Sequence, residues 1–290
     1  MSTLSAPGLS PALRPAALGL AAALAAAGAP AQSGEATAPA APPELVVCAD
    51  PSNLPYSSER GEGFENRIAS LLAQDLHVGL RYEWNAQHRG FLRRGINSRG
   101  CDLLLDVPAG LEGVKTLRPT WTSSYAFVTR RGGGPRLTGF DDPRLEHLRI
   151  GLQAIVAEGV NTPPATSLAL RGLAAHVVGF RMAESSDRSA AEMVAAVDAG
   201  DIDVAILWGP FAGYFAREHG DRLEVTPVTA DARATGLVYT YAMAAAVRRG
   251  DDAFGERVQA ALDRHAAEIR SLIASYGVPM LAPPQVAAAP

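Results

Sequence analysis

Cys48-Ala-Asp-Pro-Ser-Asn-Leu-Pro-Tyr-Ser-Ser-Glu-Arg-Gly-Glu-Gly-Phe-Glu-Asn66 sits between an apolar run at residues 45–47 and the start of an amphipathic repeat. It reads as a strand end, a loop and a helix start. A loop at the carboxyl end of a first strand, feeding a helix whose amino end carries glycine and carboxylate, is where open α/β sheets place ligands.

Downstream, Phe64, Ile68, Leu71, Leu72 and Leu76 recur at three- and four-residue intervals, the period of a helix with one face on a sheet. Leu80, Tyr82 and Trp84 alternate with charged residues as a strand does, and a basic helix is expected at 91–96. Residues 101–107 (Cys-Asp-Leu-Leu-Leu-Asp-Val) form a short apolar run closed by Pro108, a buried strand with a second loop at its carboxyl end. The order β-α-β-α-β implies a parallel sheet covered by helices.

One more strand is expected at 124–129, after which Arg130-Arg-Gly-Gly-Gly-Pro135 breaks all pattern, as a crossover between domains does. A second α/β unit follows. Its strands are expected at 148–153, 177–180, 204–208 and 223–228. Its helices open at Asn161-Thr-Pro-Pro164, run past Met193 to a stop at Gly200, and resume at Phe211. Residues 237–247 read as the return crossover, and a single amphipathic helix is expected from Asp252 to Tyr276, stopped by Gly277 and Pro279. Two discontinuous units with two crossover strands are the plan of a hinged binding protein.

The opening segment lies outside this plan. Arg14 precedes an apolar stretch at 16–27, and Ala29-Pro-Ala31 matches the small-x-small pattern of a signal-peptidase site. The stretch is too short and alanine-rich for a membrane span, so residues 1–31 read as an export signal and 32–43 as a flexible leader. The remaining segments are then 44–130, 131–233 and 234–290, the first and last forming one lobe. With 48% hydrophobic and 19% charged residues the chain is an ordinary globular one, and a net charge of −4 excludes a phosphate-neutralising nucleic-acid surface.

Export to the periplasm changes the meaning of the cysteines. Cys48 and Cys101 pair as a disulfide if their strands are neighbours, and otherwise are two buried thiols. Two thiols cannot build a zinc site of four thiolates, and none of the six histidines stands four residues from another. No metal and no cofactor is expected.

Four strings carry a family resemblance: residues 48–57, 60–69 (Arg-Gly-Glu-Gly-Phe-Glu-Asn-Arg-Ile-Ala), 161–165 (Asn-Thr-Pro-Pro-Ala) and 208–216 (Trp-Gly-Pro-Phe-Ala-Gly-Tyr-Phe-Ala). The general pattern resembles the periplasmic solute-binding proteins of type II fold: two lobes, each a mostly parallel sheet flanked by helices, joined by two hinge strands. The strings resemble a narrower group, the MxaJ/XoxJ-type proteins associated with PQQ-dependent methanol dehydrogenases. The resemblance implies a non-enzymatic periplasmic accessory protein whose partner is that dehydrogenase. One departure from the amino-acid-binding relatives stands out. Where those place an arginine for the ligand's carboxylate, residues 109–119 offer only Lys115 and Arg118, in other positions.

The candidate cleft residues are Asp50, Asn53, Pro55, Tyr56, Phe64, Glu65, Asp106, Pro108, Asn161, Thr162 and Trp208. Asp50, Glu65 and Asp106 can be read as a cation or acid/base set, or as loop and helix-end charges satisfying backbone amides. The pair Gly61 and Gly63 lacks the third glycine of a dinucleotide fingerprint, since Asn66 stands there. Asp198-Ala-Gly-Asp-Ile-Asp203 lacks the spacing of a calcium loop and reads as a helix end and strand start. Three functions compete: the dehydrogenase accessory, an importer's carrier for a small molecule, and a dehydratase-like enzyme on the same fold. A cleft carboxylate with a strongly raised pKa is the mark of the third.

Overall fold

A computed structural model describes residues 43–87, 90–154, 162–181, 186–228, 231 and 233–282. The export segment, all of the leader except Pro43, and Asn161 lie outside the described residues.

The first sheet is built on β1 (Glu44–Ala49), whose residues from Leu45 onward are all buried. Burial on both faces is what a continuous apolar run predicts for an internal parallel strand. A two-residue hairpin, β2 (Ser52–Asn53) and β3 (Ser57–Ser58), decorates the loop that leads to α1 (Phe64–Asp75). β4 (Gly79–Trp84) returns parallel to β1, with Val47 opposite Tyr82. The expected basic helix shrinks to one turn, α2 (Phe91–Arg94), followed by a short 3-10 turn at Ile96–Ser98. Three glycines at 90, 95 and 100 punctuate this stretch and leave no room for a longer helix. β5 (Leu103–Pro108) then pairs with the other side of β1.

After β6 (Lys115–Thr116) comes β7 (Trp121–Arg130), ten residues long where six were expected. Its first part, Trp121 to Ser124, pairs with β12, and its second part, from Tyr125, pairs with β10 and β11. One strand thus belongs to both sheets. The second sheet contains β8 (Ile150–Ala154), β9 (Val177–Arg181), β10 (Val204–Trp208) and β11 (Leu223–Pro227), with β8, β9 and β10 parallel. Its helices are α3 (Pro163–Leu170), α4 (Ser186–Ala199) and α5 (Gly209–Glu218). β12 (Thr240–Val247) rejoins the first sheet between β5 and β7, antiparallel to both. The strand order β4-β1-β5-β12-β7-β10-β8-β9 runs through both sheets.

The terminal helix is two helices, α6 (Asp252–Arg264) and α7 (Ala266–Ser275), which corrects the single helix expected from the apolar period. The joint is His265, whose ring nitrogens meet Asp75 at 3.0 Å and Glu268 at 3.1 Å. Gly277, at φ +81°, ends α7 as expected and allows the chain to press against Gly213 of α5. The tail then bonds β7, with Ser123 Oγ donating to Pro279 O at 2.7 Å and Leu281 N to Thr122 O at 2.8 Å.

Cys48 and Cys101 form a disulfide, their Cα atoms 5.4 Å apart. The condition named from sequence is met, because β1 and β5 are neighbours. Apolar packing is continuous from Leu45, Phe64 and Leu103 through Trp121 to Met193 and Phe211, so the described residues share one main core.

Candidate functional site

The loop after β1 is locked by its own hydrogen bonds. Pro55 O and Tyr56 O accept from the amides of Phe64 and Glu65, each at 2.8 Å, and Asn66 Oδ1 accepts from Ser58 N at 3.0 Å and Gly63 N at 3.1 Å. Gly63 lies so close to the Tyr56 carbonyl that a Cβ there would collide with it. Asn66, which breaks the dinucleotide pattern, is therefore the residue that ties the loop to the helix. The consequence is chemical. The amides of Gly63, Phe64 and Glu65 at the start of α1 are already spent on the loop and on Asn66, so they do not greet an anion.

Behind this loop lies a cavity of about 410 Å³ between the two sheets. The first sheet contributes Asn53, Tyr56, Glu65 and Gln87, with Asp106 and Pro108 from the end of β5. The second contributes Trp208 and Phe211 from the β10–α5 junction, and the crossing strands add Tyr125, Tyr241 and Met243. Trp208 Nε1 donates to the Tyr56 hydroxyl at 2.6 Å, and Leu54 N donates to Asp187 Oδ2 at 3.2 Å. Both bonds span from the first sheet's loop to the second sheet's elements.

Six of the eleven residues expected at the cleft line it: Asn53, Tyr56, Glu65, Asp106, Pro108 and Trp208. The others do not. Asp50 faces the backbone, its oxygens accepting from Ser52 N at 2.9 Å and Gln87 N at 2.8 Å. Pro55 follows a cis peptide bond and acts through its carbonyl. Phe64 is fully buried, its ring 4.9 Å from that of Tyr56 and 5.9 Å from that of Trp121. Thr162 caps α3 by accepting from Ala165 N. With Asp50 turned away, the three-carboxylate cation set is not assembled, and among the described residues no cluster of three acidic, histidine or cysteine side chains is placed to hold a metal.

Gln87, Tyr125, Phe211, Tyr241 and Met243 are lining residues that the sequence reading did not name. Tyr241 and Met243 stand two apart on β12 and so share one face, a signal present in the sequence. Nothing in the alternation says which face meets the cleft.

The electrostatics are those of an acidic pocket whose two carboxyls are buried. Burial, and then the nearby Asp106 charge, push the Glu65 carboxyl well above the ordinary carboxylate range. Burial pushes Asp106 up to about 7, against the opposing hydrogen bond that Trp121 Nε1 donates to its Oδ1 at 2.5 Å. Among the described residues, no arginine or lysine lines the cavity. Lys115 instead pairs with Asp252 at 2.6 Å and Arg118 with Asp263, both on α6, so neither replaces the missing carboxylate clamp. Asp198 and Asp203 are likewise paired with arginines, Arg222 and Arg149.

Two mostly parallel sheets that share a crossing strand and enclose a cleft between them define a periplasmic binding protein of the type II fold. No family model matches the chain. The crystal structure of the periplasmic binding protein XoxJ from Methylobacterium extorquens AM1 is 32% identical, with a TM-score of 0.67 over 82% of this chain and 100% of that one. The chain belongs to the MxaJ/XoxJ-type periplasmic binding proteins. MxaJ from Methlophaga aminisulfidivorans MPT shares the fold at 23% identity, with a TM-score of 0.72 over 82% of this chain and all 100% of that one. Protein MoxJ of Methylorubrum extorquens is 28% identical over 250 residues, 82% of this chain and 81% of that protein.

Proposed function

We propose that the protein is a periplasmic, non-catalytic accessory factor of PQQ-dependent methanol oxidation that binds a methanol dehydrogenase and assists its activation or maturation. Membership of the MxaJ/XoxJ family carries this reading. The cleft supports it in two ways. Its two sides are bonded to each other through Trp208 and Tyr56 and through Asp187 and Leu54. Among the described residues it also has no arginine or lysine with which to hold the carboxylate of an amino-acid cargo. The test is co-purification with the dehydrogenase, together with activation of the apo-enzyme with and without this protein. Absence of both binding and any effect on activity overturns the reading.

A second reading, acid/base catalysis in the cleft, is favoured by Glu65 and Asp106, two buried carboxyls held toward their neutral forms. Against it stands the lack, among the described lining residues, of a basic side chain to orient an anionic substrate. Turnover of a β-hydroxy acid that vanishes in Glu65→Gln would favour it over the first. Carriage of a small molecule to an importer is the third reading, supported by the cavity itself.

A further inference from the structure

The cleft contains two oxygen atoms that no group among the described residues satisfies. Asn53 Oδ1 and Asp106 Oδ2 are buried without a hydrogen-bond partner. Their side chains belong to residues only 7% and 9% exposed, and both residues line the same cavity. An unpaired buried polar oxygen is costly, so two of them on residues that line one cavity mark where a ligand's polar groups belong. Asp106 is also fixed in place, by the Trp121 indole on its other oxygen and by a left-handed backbone at φ +49°, which a non-glycine residue adopts only when its surroundings enforce it.

The opposite wall is aromatic. Trp208 meets Tyr125 edge-on at 5.6 Å and Tyr241 edge-on at 5.6 Å, so the three rings form an arc across the crossing strands. Ring faces attract cations, and more strongly where water is excluded. Glu65 adds a second acidic group whose ionisation the Asp106 charge opposes, and a positive ligand between them removes that opposition. A ligand with its own carboxylate finds no arginine or lysine among the described lining residues.

We propose that this cleft binds a small organic ammonium ion lacking a carboxylate, with its polar face toward Asn53 Oδ1 and Asp106 Oδ2 and its alkyl surface against Tyr125, Trp208 and Tyr241. The proposal stands apart from the dehydrogenase reading, because it concerns only what this chain's own side chains recognise. Isothermal titration of the purified protein tests it with four probes: methylammonium, choline, glycine betaine, and 3,3-dimethylbutan-1-ol, the uncharged isostere of choline. At least one of the two ammonium ions binds with a Kd at or below about 1 mM. The isostere and the betaine bind at least about tenfold more weakly. Asp106→Asn weakens the ammonium ion by about tenfold or more while the unliganded melting temperature holds or rises. Should that variant misfold, Tyr241→Leu, on a different strand, decides by the same loss. No heat from either ammonium ion, equal binding of the isostere, or unchanged affinity in the folded variants overturns the proposal. A failed dehydrogenase pull-down leaves it untouched, and failure here leaves the dehydrogenase reading intact.

Discussion

Trp208 Nε1 lies 2.6 Å from the hydroxyl of Tyr56, so the last residue of a strand in the second sheet is bonded to the loop that leaves the first. Tyr56 is buried, its ring 5.8 Å from that of Phe211 and 4.9 Å from that of Phe64, and burial holds its phenol well above its usual pKa. It remains a neutral hydroxyl at every pH the protein meets. Removing either partner should therefore remove one neutral hydrogen bond across the cleft. Tyr56→Phe and Trp208→Phe are each expected to lower stability, and their double mutant to lose less than the sum, with a coupling of about 0.5–1.5 kcal/mol. Urea denaturation of the four proteins measures it. Strict additivity shows that the bond does not hold the halves together.

The disulfide should contribute more than any single contact in the cleft. Cys48 and Cys101 are separated by 53 residues. Closing a loop of that size in the unfolded chain is worth about 4 kcal/mol in the chain-entropy model. The Cys48→Ser, Cys101→Ser pair is expected to lose roughly 2–5 kcal/mol, read from chemical denaturation. Gly95 packs on this bridge, since a Cβ there would stand 2.5 Å from Cys48 Sγ. Gly95→Ala should destabilise the oxidised protein, and part of that loss should disappear when the cysteines are replaced. Equal loss in both backgrounds contradicts the contact.

Much of this architecture is legible in the chain, and the parts that are not share a physical cause. β1, β5 and β10 read correctly because they are buried on both faces and so are apolar without interruption. The α4 stop at Gly200 and the α7 stop at Gly277 follow from positive φ, which glycine alone adopts freely. The break at His265 was hidden because the apolar face continues across it, while the interruption comes from polar bonds to Asp75 on another helix. In the site, Tyr56 and Trp208 could be named because loop ends and strand ends are where clefts form. Asp50 was misplaced because a carboxylate in a loop serves backbone amides or a cleft with the same sequence signal. Tyr125 and Tyr241 were missed because alternation gives two faces and no label for either.

Asp106 makes stability fall as pH rises. Burial raises its native pKa to about 7, whereas in the unfolded chain it titrates near 3.8. Between these values the native state holds a proton that the unfolded state has released. Stability is thus fully present below about 4 and is lost progressively as pH rises toward 7. Asp106→Asn keeps the shape and can still accept from Trp121, so it should flatten this slope and be the more stable protein at pH 8. Urea midpoints for both proteins between pH 4 and 8 decide the matter, and parallel curves refute the assignment.

His265 adds a slope at higher pH. Its partners Glu268 and then Asp75 raise its pKa above the usual 6.5. The native state therefore holds the imidazolium proton longer than the unfolded chain does. This contribution is complete below about 6.5 and is lost as pH climbs through the raised native value. In His265→Gln the alkaline part of the stability profile should become flatter while the slope between about pH 4 and 6, to which Asp106 and Glu65 contribute, is unchanged. A profile that keeps its alkaline slope in the variant places the titration elsewhere.

No proteinogenic amino acid should stabilise this protein, and the reason combines three separate features of the cleft. Binding an α-carboxylate in a water-excluded site requires a guanidinium fork, an ammonium or several converging amides, because the desolvation of the anion must be offset there. The two basic side chains after β5 are committed to α6, Lys115 to Asp252 and Arg118 to Asp263. The first amides of α1 are committed to Pro55 O and Tyr56 O. The acidic groups that line the cavity, Glu65 and Asp106, are held toward their neutral forms by burial and offer an anion no positive charge. A thermal-shift screen of the twenty amino acids should show no rise beyond scatter, since a ligand at 100 times its Kd adds about 2.7 kcal/mol and is readily seen. A rise of several degrees with any one of them would mean that Lys115 or Arg118 leaves its partner and turns into the cleft. The Asp252→Asn and Asp263→Asn variants, which free those cations, should then bind that amino acid more tightly.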